Sequence, residues 1–432
     1  MAEIAKKKFM GVEIPEGLTK ANFYALFIGT TLGGLVTNSI NGIQHSYLKD
    51  YLKVSQELFG TVSGTLMTLG EIAAIIFLFF FGVVADKIGR KSVITIGYIG
   101  ATIAYLLFFH SKDIAEMLGI NPLPLAYAGR FLIVATVAGV WGTYIIVTAD
   151  YTDEANRAKG MGLNGIFTGF GMLLAMGVFA SLPNKIGTRN TFYLTAAVSI
   201  ASLIYARIAL VDRFKPKEKE KGQIKKIIET LKSSPPLVMC YAARFFVMAA
   251  VITVGTFIFV WAVNAAPNLG VTPEAAQGKV GMFIGISGLV AFVGFPIFAI
   301  MCDKLGRYVT LSISLGLGGL ALISFGLIDN PISWPILICM LVFFFSQAGM
   351  LLSSQTLASD IAPKRVMGTV LGGLNTTGQI GAAVFFSVDG ITMDKISPQS
   401  PFIIMGVCCI LMIIWVMITG TKVKKGQYKI DT

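Results

Sequence analysis

Twelve apolar stretches, each long enough to cross a lipid bilayer as a helix, dominate the chain. A spanning helix needs about 20 predominantly apolar residues. Because lipid offers no hydrogen-bond partners, a single stretch of this length must bond its own backbone and is therefore helical. The sequence predicts an all-α integral membrane protein with 12 transmembrane helices, numbered here as spans 1 to 12, at 22–46, 57–82, 92–110, 123–148, 160–182, 190–211, 236–262, 276–302, 308–328, 333–358, 366–388 and 399–421.

The distribution of charge supports this topology and explains the net charge of +12. Only 13% of residues are charged, compared with about 25% in soluble domains. With the N-terminus inside, 25 of the 35 Lys and Arg residues fall in inside segments and seven in outside segments. This excess is the positive-inside pattern, so both termini are predicted to be cytoplasmic, in a multi-pass protein of the inner membrane. The basic charge is therefore topological, and no nucleic-acid partner is expected.

The reactive residue types are too scattered for an enzyme or a metal site. The five cysteines lie in or beside apolar stretches without a CxxC pair, which is typical of buried thiols. His45 and His110 lie in different predicted helices, and no paired acids or selectivity-filter loop is visible. We therefore expect neither an enzyme nor a channel, with no cofactor and no metal.

The chain contains an internal repeat on either side of one long polar segment. GVVADKIGRK at 82–91 follows span 2, and AIMCDKLGRY at 299–308 follows span 8, at an offset of 217 residues. Segment 212–235 is the candidate linker, with a predicted surface helix over Ile224 to Leu231. Residues 1–211 and 236–432 are thus predicted to form two six-helix bundles related by a pseudo-two-fold axis, with a central cavity between them.

The first loop matches every position of the G-x-x-x-D-[RK]-x-G-R-[RK] pattern, through Gly82, Asp86, Lys87, Gly89, Arg90 and Lys91. The second copy departs from it at Ala299 and Tyr308. With this loop at two equivalent places of a six-plus-six layout, the chain resembles the major facilitator superfamily of secondary transporters across essentially its whole length. The resemblance implies a transporter of a small solute that works by alternating access. We expect a monomer in the bilayer.

The loop residues have a physical interpretation besides the resemblance. Gly89 allows a tight turn, and Gly82 lets neighbouring helices approach closely. The Asp86 carboxylate can accept from the amides of a helix N-terminus, and Arg90 can pair with a carboxylate such as Asp150. In the family this loop holds the cytoplasmic side closed, which implies a gating role here and in the partial copy formed by Asp303, Arg307 and Asp360. The alternative is ordinary positive-inside charge.

Polar groups within spans are costly in lipid, so each is a candidate functional residue. Asn38 and Asn41 belong to a stripe of span 1 that also contains Gly34 and His45. Arg130 resembles the family's span-4 arginine, which pairs in proton-coupled relatives with a span-1 aspartate, and Asn41 lies near that place. The predicted substrate-binding residues are Asn38, Asn41, Arg130, Trp141, Arg244, Gln347, Asn375 and Gln379. The alternatives are snorkelling for the arginines and helix packing for the amides.

Glu71 is the only acid deep within a predicted span, and it is the candidate proton carrier. The alternative is a glutamate that joins helices by hydrogen bonds. Two cationic sites, one acid and several amides favour a small organic anion as substrate, with a proton as coupling partner. An exporter or uncoupled facilitator of a neutral or amphipathic compound, such as a drug or siderophore, stays an alternative. A transporter-like membrane sensor is a more remote one.

Overall fold

A hairpin and a series of long helices make up the computed structural model, which describes residues 8–153, 156–213, 234–362 and 367–426. A two-stranded hairpin of β1 (Lys8–Phe9) and β2 (Val12–Glu13) precedes span 1, and a short helix, Ser111–Leu118, joins spans 3 and 4. The spans are Lys20–Tyr51, Gln56–Ile88, Arg90–Phe109, Pro122–Asp150, Lys159–Ile186, Thr188–Ala209, Pro235–Leu269, Pro273–Leu305, Arg307–Phe325, Trp334–Ile361, Met367–Lys395 and Ser400–Lys424.

The helices confirm the predicted all-α membrane fold. Within the described ranges, eleven are long and apolar enough to cross a membrane. Span 11, Met367–Lys395, lies outside that group because Asn375, Gln379 and Asp389 interrupt its apolar sequence, although its 29 residues are long enough. It also continues seven residues beyond its predicted end at 388, which places Asp389 inside the helix.

Within the described residues, three spans contain a π-helical turn. Span 1 continues from the α-helix Lys20–Ser46 into a π-helical turn at Tyr47–Tyr51. Span 5 has such a turn at Leu174–Val178, between the helix Arg157–Leu173 and the helical residues up to Ile186. Span 7 consists of Pro235–Ile252, a π-helical turn at Thr253–Phe257, the helix Ile258–Ala265 and a 3₁₀ turn. Such turns often occur at functional sites.

The chain divides into two compact units. Unit 1 is Met1–Lys53 with Ile72–Glu218, and unit 2 is Val54–Glu71 with Lys219–Thr432. The start of span 2 belongs to unit 2 because it is bonded to span 11. The amides of Gly60 and Thr61 donate to the Asp394 carboxylate over 2.8 and 2.6 Å. The domain boundaries at 211 and 236 stay a prediction, and most of the 212–235 linker, with its surface helix, lies outside the described residues.

The helix pairings of unit 1 recur in unit 2, between spans whose numbers are higher by six. In unit 1, span 1 packs on span 5, and span 3 packs on spans 4 and 6. In unit 2, span 7 packs on span 11, and span 9 packs on spans 10 and 12. Glycines allow the closest of these contacts, since a Cβ on Gly171 would overlap the backbone at Thr31, and one on Gly381 the carbonyl of Phe245. Small residues at such contacts are typical of helices packed in lipid.

Candidate gating and substrate sites

The first loop forms a buried arginine cluster, named here the Arg90 cluster (Asp86, Arg90 and Asp150). Arg90 Nε donates to Asp150 Oδ2 over 2.9 Å, and Nη1 donates to Asp86 Oδ1 over 2.9 Å and to the Ala85 carbonyl over 2.6 Å. Gly89, with φ of +90°, makes the turn that begins span 3 immediately at Arg90. The Arg90 side chain is 5% exposed, so these charge-assisted bonds are largely screened from water.

The second loop repeats this geometry at the surface, in the Arg307 cluster (Asp303, Arg307 and Asp360). Arg307 Nε donates to Asp360 Oδ2 over 2.8 Å, and Nη1 lies 3.4 Å from Asp303 Oδ1. Nη1 also donates to the Cys302 carbonyl over 2.9 Å, and Gly306 has a φ of +86°. The Arg307 side chain is 35% exposed.

A further aspartate takes part in the hydrogen bonds of the first loop. Asp86 bonds to Arg90, whereas the helix amide at Lys91 donates to Asp212 Oδ2 over 3.1 Å. Asp212 follows span 6 and therefore ties that segment to the start of span 3. A Cβ added at Gly82 would meet none of the described residues within 4 Å, so the partner of the close helix approach expected there is not among them. The gating role itself stays a prediction.

A hydroxyl of the segment after span 4 reinforces this attachment. The Tyr151 hydroxyl donates to the Val211 carbonyl over 2.8 Å and accepts from the Val211 amide over 2.9 Å. Burial raises the pKa of Tyr151 to about 12. The hydroxyl therefore keeps its proton, and its donated bond, at any physiological pH.

Unit 1 places Arg130 beside Asn41. Arg130 is 4% exposed, and its Nη2 donates to Asn41 Oδ1 over 2.7 Å. His45 is fully buried and interacts electrostatically with Arg130. Asn38 donates its amide to the Gly34 carbonyl of its own helix over 2.8 Å, and both Asn38 and Trp141 are half-buried. Of the predicted pairs in this unit, the structure brings Arg130 and Asn41 into direct contact.

A tyrosine hydroxyl is inserted into span 1 next to these asparagines. Tyr105 donates to the Val36 carbonyl over 2.6 Å and accepts from the Ile40 amide over 3.1 Å. Those two backbone groups are four residues apart and are partners in a regular α-helix. An inserted side chain is an established cause of local helix distortion. Tyr105 is not among the site residues that the sequence predicts.

Unit 2 places Arg244 beside Asn375. Arg244 is 9% exposed; its Nη2 donates to Asn375 Oδ1 over 3.0 Å and its Nη1 to the Leu351 carbonyl over 3.4 Å. No Asp or Glu of the described residues pairs with it, and its buried Nε has no partner among them. Gln347 and Gln379 are half-buried. This guanidinium therefore makes fewer bonds than its five N–H donors allow.

The position of Glu71 follows from the register between spans 2 and 11, which lie together in unit 2. Thr68 lies 2.8 Å from the Ser387 hydroxyl and donates to the Ala383 carbonyl over 3.1 Å. Glu71 is one turn further along span 2, and Gln379 is one turn further along the antiparallel span 11. The register therefore places Glu71 at the level of Gln379, which is itself one turn from Asn375.

Asp389 is the buried acid that the sequence analysis missed. It is 0% exposed in span 11, and its Oδ2 lies 2.5 Å from the Thr253 hydroxyl at the π-helical turn of span 7. The predicted span ended one residue before it, so it counted as a loop residue. The apolar residues that continue at Ile391 and Met393 were the signal that the helix extends further.

Sequence comparisons match the chain to one family model and to several named proteins. The family model described as Major Facilitator Superfamily matches residues 26–386. The magnetosome protein MamH of Paramagnetospirillum magneticum is 28% identical over 383 residues, which is 89% of each chain. The magnetosome protein MamZ of Magnetospirillum gryphiswaldense is 25% identical over 94% of this chain and 64% of its own length. The multidrug resistance protein MdtG of a Rahnella species is 24% identical over 74% of each chain.

Solved structures share the fold. The nucleoside transporter NupG aligns with a TM-score of 0.71 at 14% identity, over 92% of this chain and 98% of its own. The D-xylose-proton symporter aligns with a TM-score of 0.70 at 15% identity, over 92% of this chain and 96% of its own. Identity this low supports the common architecture of twelve helices and gives no information about the substrate.

Proposed function

Because the chain belongs to the major facilitator superfamily, and is thus an integral multi-pass membrane transporter, we propose that it moves a small organic anion by proton-coupled alternating access. The positive-inside distribution supports an inner-membrane location with both termini in the cytoplasm. The anion and the proton are proposed from particular residues, because family membership does not determine them.

Arg244 is the observation that carries the anion proposal. It is 9% exposed, and among the described residues its partners are an amide oxygen and a carbonyl oxygen, without a carboxylate. A buried charge without an opposite charge is destabilising by several kcal/mol, on the order of the penalty for a broken buried pair. A carboxylate or phosphate group of the substrate would remove that penalty and accept the unused N–H donors.

The other proposed substrate contacts supply hydrogen bonds around the two arginines. Arg130 with Asn41 in unit 1, and Arg244 with Asn375 in unit 2, each join one guanidinium to one amide. An amide can turn its NH₂ group or its oxygen towards a ligand, so it suits a substrate that carries both carboxylate and hydroxyl groups. Asn38, Trp141, Gln347 and Gln379 complete the proposed set.

Glu71 is the proposed carrier of the coupling proton. Its register places it near Gln379 and Asn375, in the same unit as Arg244. A carboxyl group inside a span can load a proton from one side of the membrane and release it to the other when its surroundings change. In the proposed cycle the bundles rock about the substrate, while the Arg90 and Arg307 clusters break and reform as the cytoplasmic gate.

A ligand screen followed by arginine substitutions tests the anion proposal. The purified protein is screened by thermal shift against organic acids, phosphates, sugars, amines and siderophores. We expect an organic acid to stabilise it, and expect Arg244→Ala and Arg130→Ala to weaken that binding at least tenfold, about 1.4 kcal/mol. Arg207→Ala, an exposed arginine at the end of span 6, is the matched control and should bind normally. Normal affinity in both test variants would refute the proposal.

The proton assignment has its own test in proteoliposomes. We expect Glu71→Gln to retain exchange of labelled substrate but to lose uptake driven by a pH gradient, because the amide cannot carry a proton. Uphill transport with the pH dependence of the unaltered protein would show that Glu71 is not the carrier, and would leave the anion proposal intact.

An exporter or uncoupled facilitator of a neutral or amphipathic compound is the second candidate. The similarity to proteins named multidrug resistance protein MdtG favours it. It predicts that an amphipathic compound stabilises the protein and that Arg244→Ala leaves the affinity for this compound unchanged. A membrane sensor, in contrast, would bind its ligand without counterflow of labelled substrate across the bilayer.

The relatives MamH and MamZ, both named magnetosome proteins, favour a second location. We propose the membrane of a magnetosome as the alternative to the general inner membrane. Fractionation of cells that express the tagged full chain distinguishes the two locations. A protein of the magnetosome membrane is recovered with the membranes retained by a magnet, and a protein of the general inner membrane is not.

A further inference from the structure

Spans 7 and 11 meet at a pair of polar side chains that the proposed function does not use. Asp389 of span 11 is 0% exposed, and its partner Thr253 is also 0% exposed. Thr253 is the first residue of the π-helical turn that interrupts span 7. A carboxyl group inside a span is costly unless it is neutral or well bonded, and such groups in transporters belong to proton or ion pathways. Asp389 therefore requires a physical account.

The hydrogen-bond geometry around Thr253 accommodates two protonation states of Asp389. The Thr253 hydroxyl oxygen lies 2.9 Å from the Ala249 carbonyl and 2.5 Å from Asp389 Oδ2. A hydroxyl has one hydrogen, so it donates to only one of these oxygens at a time. When Asp389 is protonated, it donates to Thr253, which donates to Ala249. When Asp389 is ionised, Thr253 must turn its hydrogen towards the carboxylate.

The surroundings favour the protonated arrangement. Asp389 Oδ1 is buried and has no hydrogen-bond partner among the described residues, and no Lys, Arg or His of that part of the chain forms an ion pair with Asp389. An ionised carboxylate would leave a charged oxygen unsatisfied in a low-dielectric site, at a cost of several kcal/mol. The same burial costs much less free energy when the carboxyl group is neutral.

Few other titratable groups face this site from the helices packed around it. Span 12 contributes the Cys408 thiol, which interacts electrostatically with Asp389. On span 7, Arg244 is more than two turns from Thr253. Glu71 of span 2 lies at the level of Gln379, ten residues from Asp389 along span 11. On span 11 itself, Asp394 is bonded to the amides of Gly60 and Thr61. The helical part of span 10 before Asp360 contains no Asp, Glu, Lys, Arg or His.

We propose that Asp389 is a proton-binding site of unit 2, which holds a proton in this conformation and exchanges it when span 7 changes at its π-helical turn. On release, the proton passes from Asp389 Oδ2 to water, the carboxylate becomes negative, and the Thr253 hydrogen turns from Ala249 to Asp389. This site adds a second proton-binding residue to the proposed proton coupling. Only its link to transport rests on the proposed function. Its occupancy by a proton is independent of Glu71 and of the substrate.

Infrared spectroscopy of the full-length protein in lipid tests the occupancy directly. A protonated carboxyl group has a carbonyl stretch that an ionised one lacks. We expect this band near neutral pH in the unaltered protein and its loss in Asp389→Asn. In the control Glu71→Gln, only a band contributed by Glu71 itself should disappear, and the Asp389 band should remain. An unchanged carbonyl region in Asp389→Asn would show that Asp389 is ionised and would overturn the proposal.

A second variant keeps the test valid if Asp389→Asn does not fold. Thr253→Val is close to isosteric and removes the hydroxyl while it retains the acid. We expect the Asp389 carbonyl band to persist and to move to higher wavenumber, because its donated hydrogen bond is lost. A band at the unaltered position would contradict the assigned pair.

A comparison of salts tests whether the site binds sodium instead of a proton, since a carboxylate and a hydroxyl can also bind that ion. With the pH held constant, sodium chloride should leave the Asp389 band unchanged relative to choline chloride. Loss of the band with sodium alone would show a sodium site and overturn the proton assignment. Transport data are not needed for these outcomes, so a failure here is distinguishable from a failure of Glu71 or of the anion proposal.

Discussion

The Arg90 and Arg307 clusters have the same hydrogen-bond geometry, but of the two arginines only Arg90 is buried. In each, the arginine Nε bonds to an aspartate at the end of a span, over 2.9 and 2.8 Å, and Nη1 lies near an aspartate four residues earlier. The Arg90 side chain is 5% exposed and the Arg307 side chain 35%. The ten-residue pattern thus specifies the bonds, whereas the rest of each unit determines how much water reaches them.

The difference in burial has an identifiable source. Beside Arg90, Phe81, Ala85 and Val93 form an apolar cluster, and the segment after span 6 bonds to Lys91 through Asp212 and Leu210. A Cβ added at Gly89 would lie 2.9 Å from Asp212, whereas one added at Gly306 would meet nothing within 4 Å in the part of the chain that the structure describes. Ion pairs exposed to water contribute little to stability, and breaking a buried one is costly. Breaking the Arg90 cluster should therefore destabilise the protein more than breaking the Arg307 cluster.

The largest expected effect is the loss of the buried guanidinium. Arg90→Ala leaves Asp86 and Asp150 close together without their cation, and we expect a decrease of about 3 kcal/mol in the free energy of unfolding. Arg307→Ala should cost about 1 kcal/mol or less, because its carboxylates are open to water. Denaturant unfolding of both variants in the same mixed micelles measures the difference. Equal losses would show that burial does not distinguish the clusters.

A smaller difference between the two clusters is expected at the glycines that make their turns. Gly89 and Gly306 have φ of +90° and +86°, a region that is strained for other residues, so Ala at either position should cost about 1–3 kcal/mol. Gly89→Ala should cost about 1 kcal/mol more, since its Cβ must displace the Asp212 carboxylate that bonds to the Lys91 amide. The same unfolding assay tests this, and a larger loss at Gly306 would contradict the argument.

The helical fold and the loop geometry could be predicted because both depend on local sequence. Apolar length specifies each span, and a glycine followed by arginine, with an aspartate four residues before that arginine, specifies the turn and the nearer ion pair of each cluster. The other aspartates, Asp150 and Asp360, lie 60 and 53 residues from their arginines. Arg130 beside Asn41 was anticipated through the resemblance to the superfamily. Asp389 was missed because helix ends are poorly determined by composition, and one residue in the predicted end changed a buried acid into a loop residue.

Other parts of the candidate site depend on contacts that are distant in sequence. The start of span 2 belongs with unit 2 because Asp394 accepts from its first amides, and no pattern near residue 60 indicates that partner. The Tyr105 hydroxyl within span 1 and the pairing of Thr253 with Asp389 are likewise formed by residues 65 and 136 positions apart. Periodicity describes one helix at a time and cannot specify such pairs.

The smallest expected effect comes from Asp212, and it tests whether the segment after span 6 makes the two clusters different. Asp212→Ala removes the acceptor for the Lys91 amide and should cost about 1 kcal/mol, the usual value for a lost helix cap. Asp212→Asn keeps an acceptor oxygen and should cost about half of that, through the lost interaction of its charge with the helix dipole. If this segment keeps water from Arg90, Arg90→Ala should be less destabilising in an Asp212→Ala background than alone, and closer to Arg307→Ala. Strict additivity in this double-mutant cycle would instead assign the burial of Arg90 to its apolar neighbours.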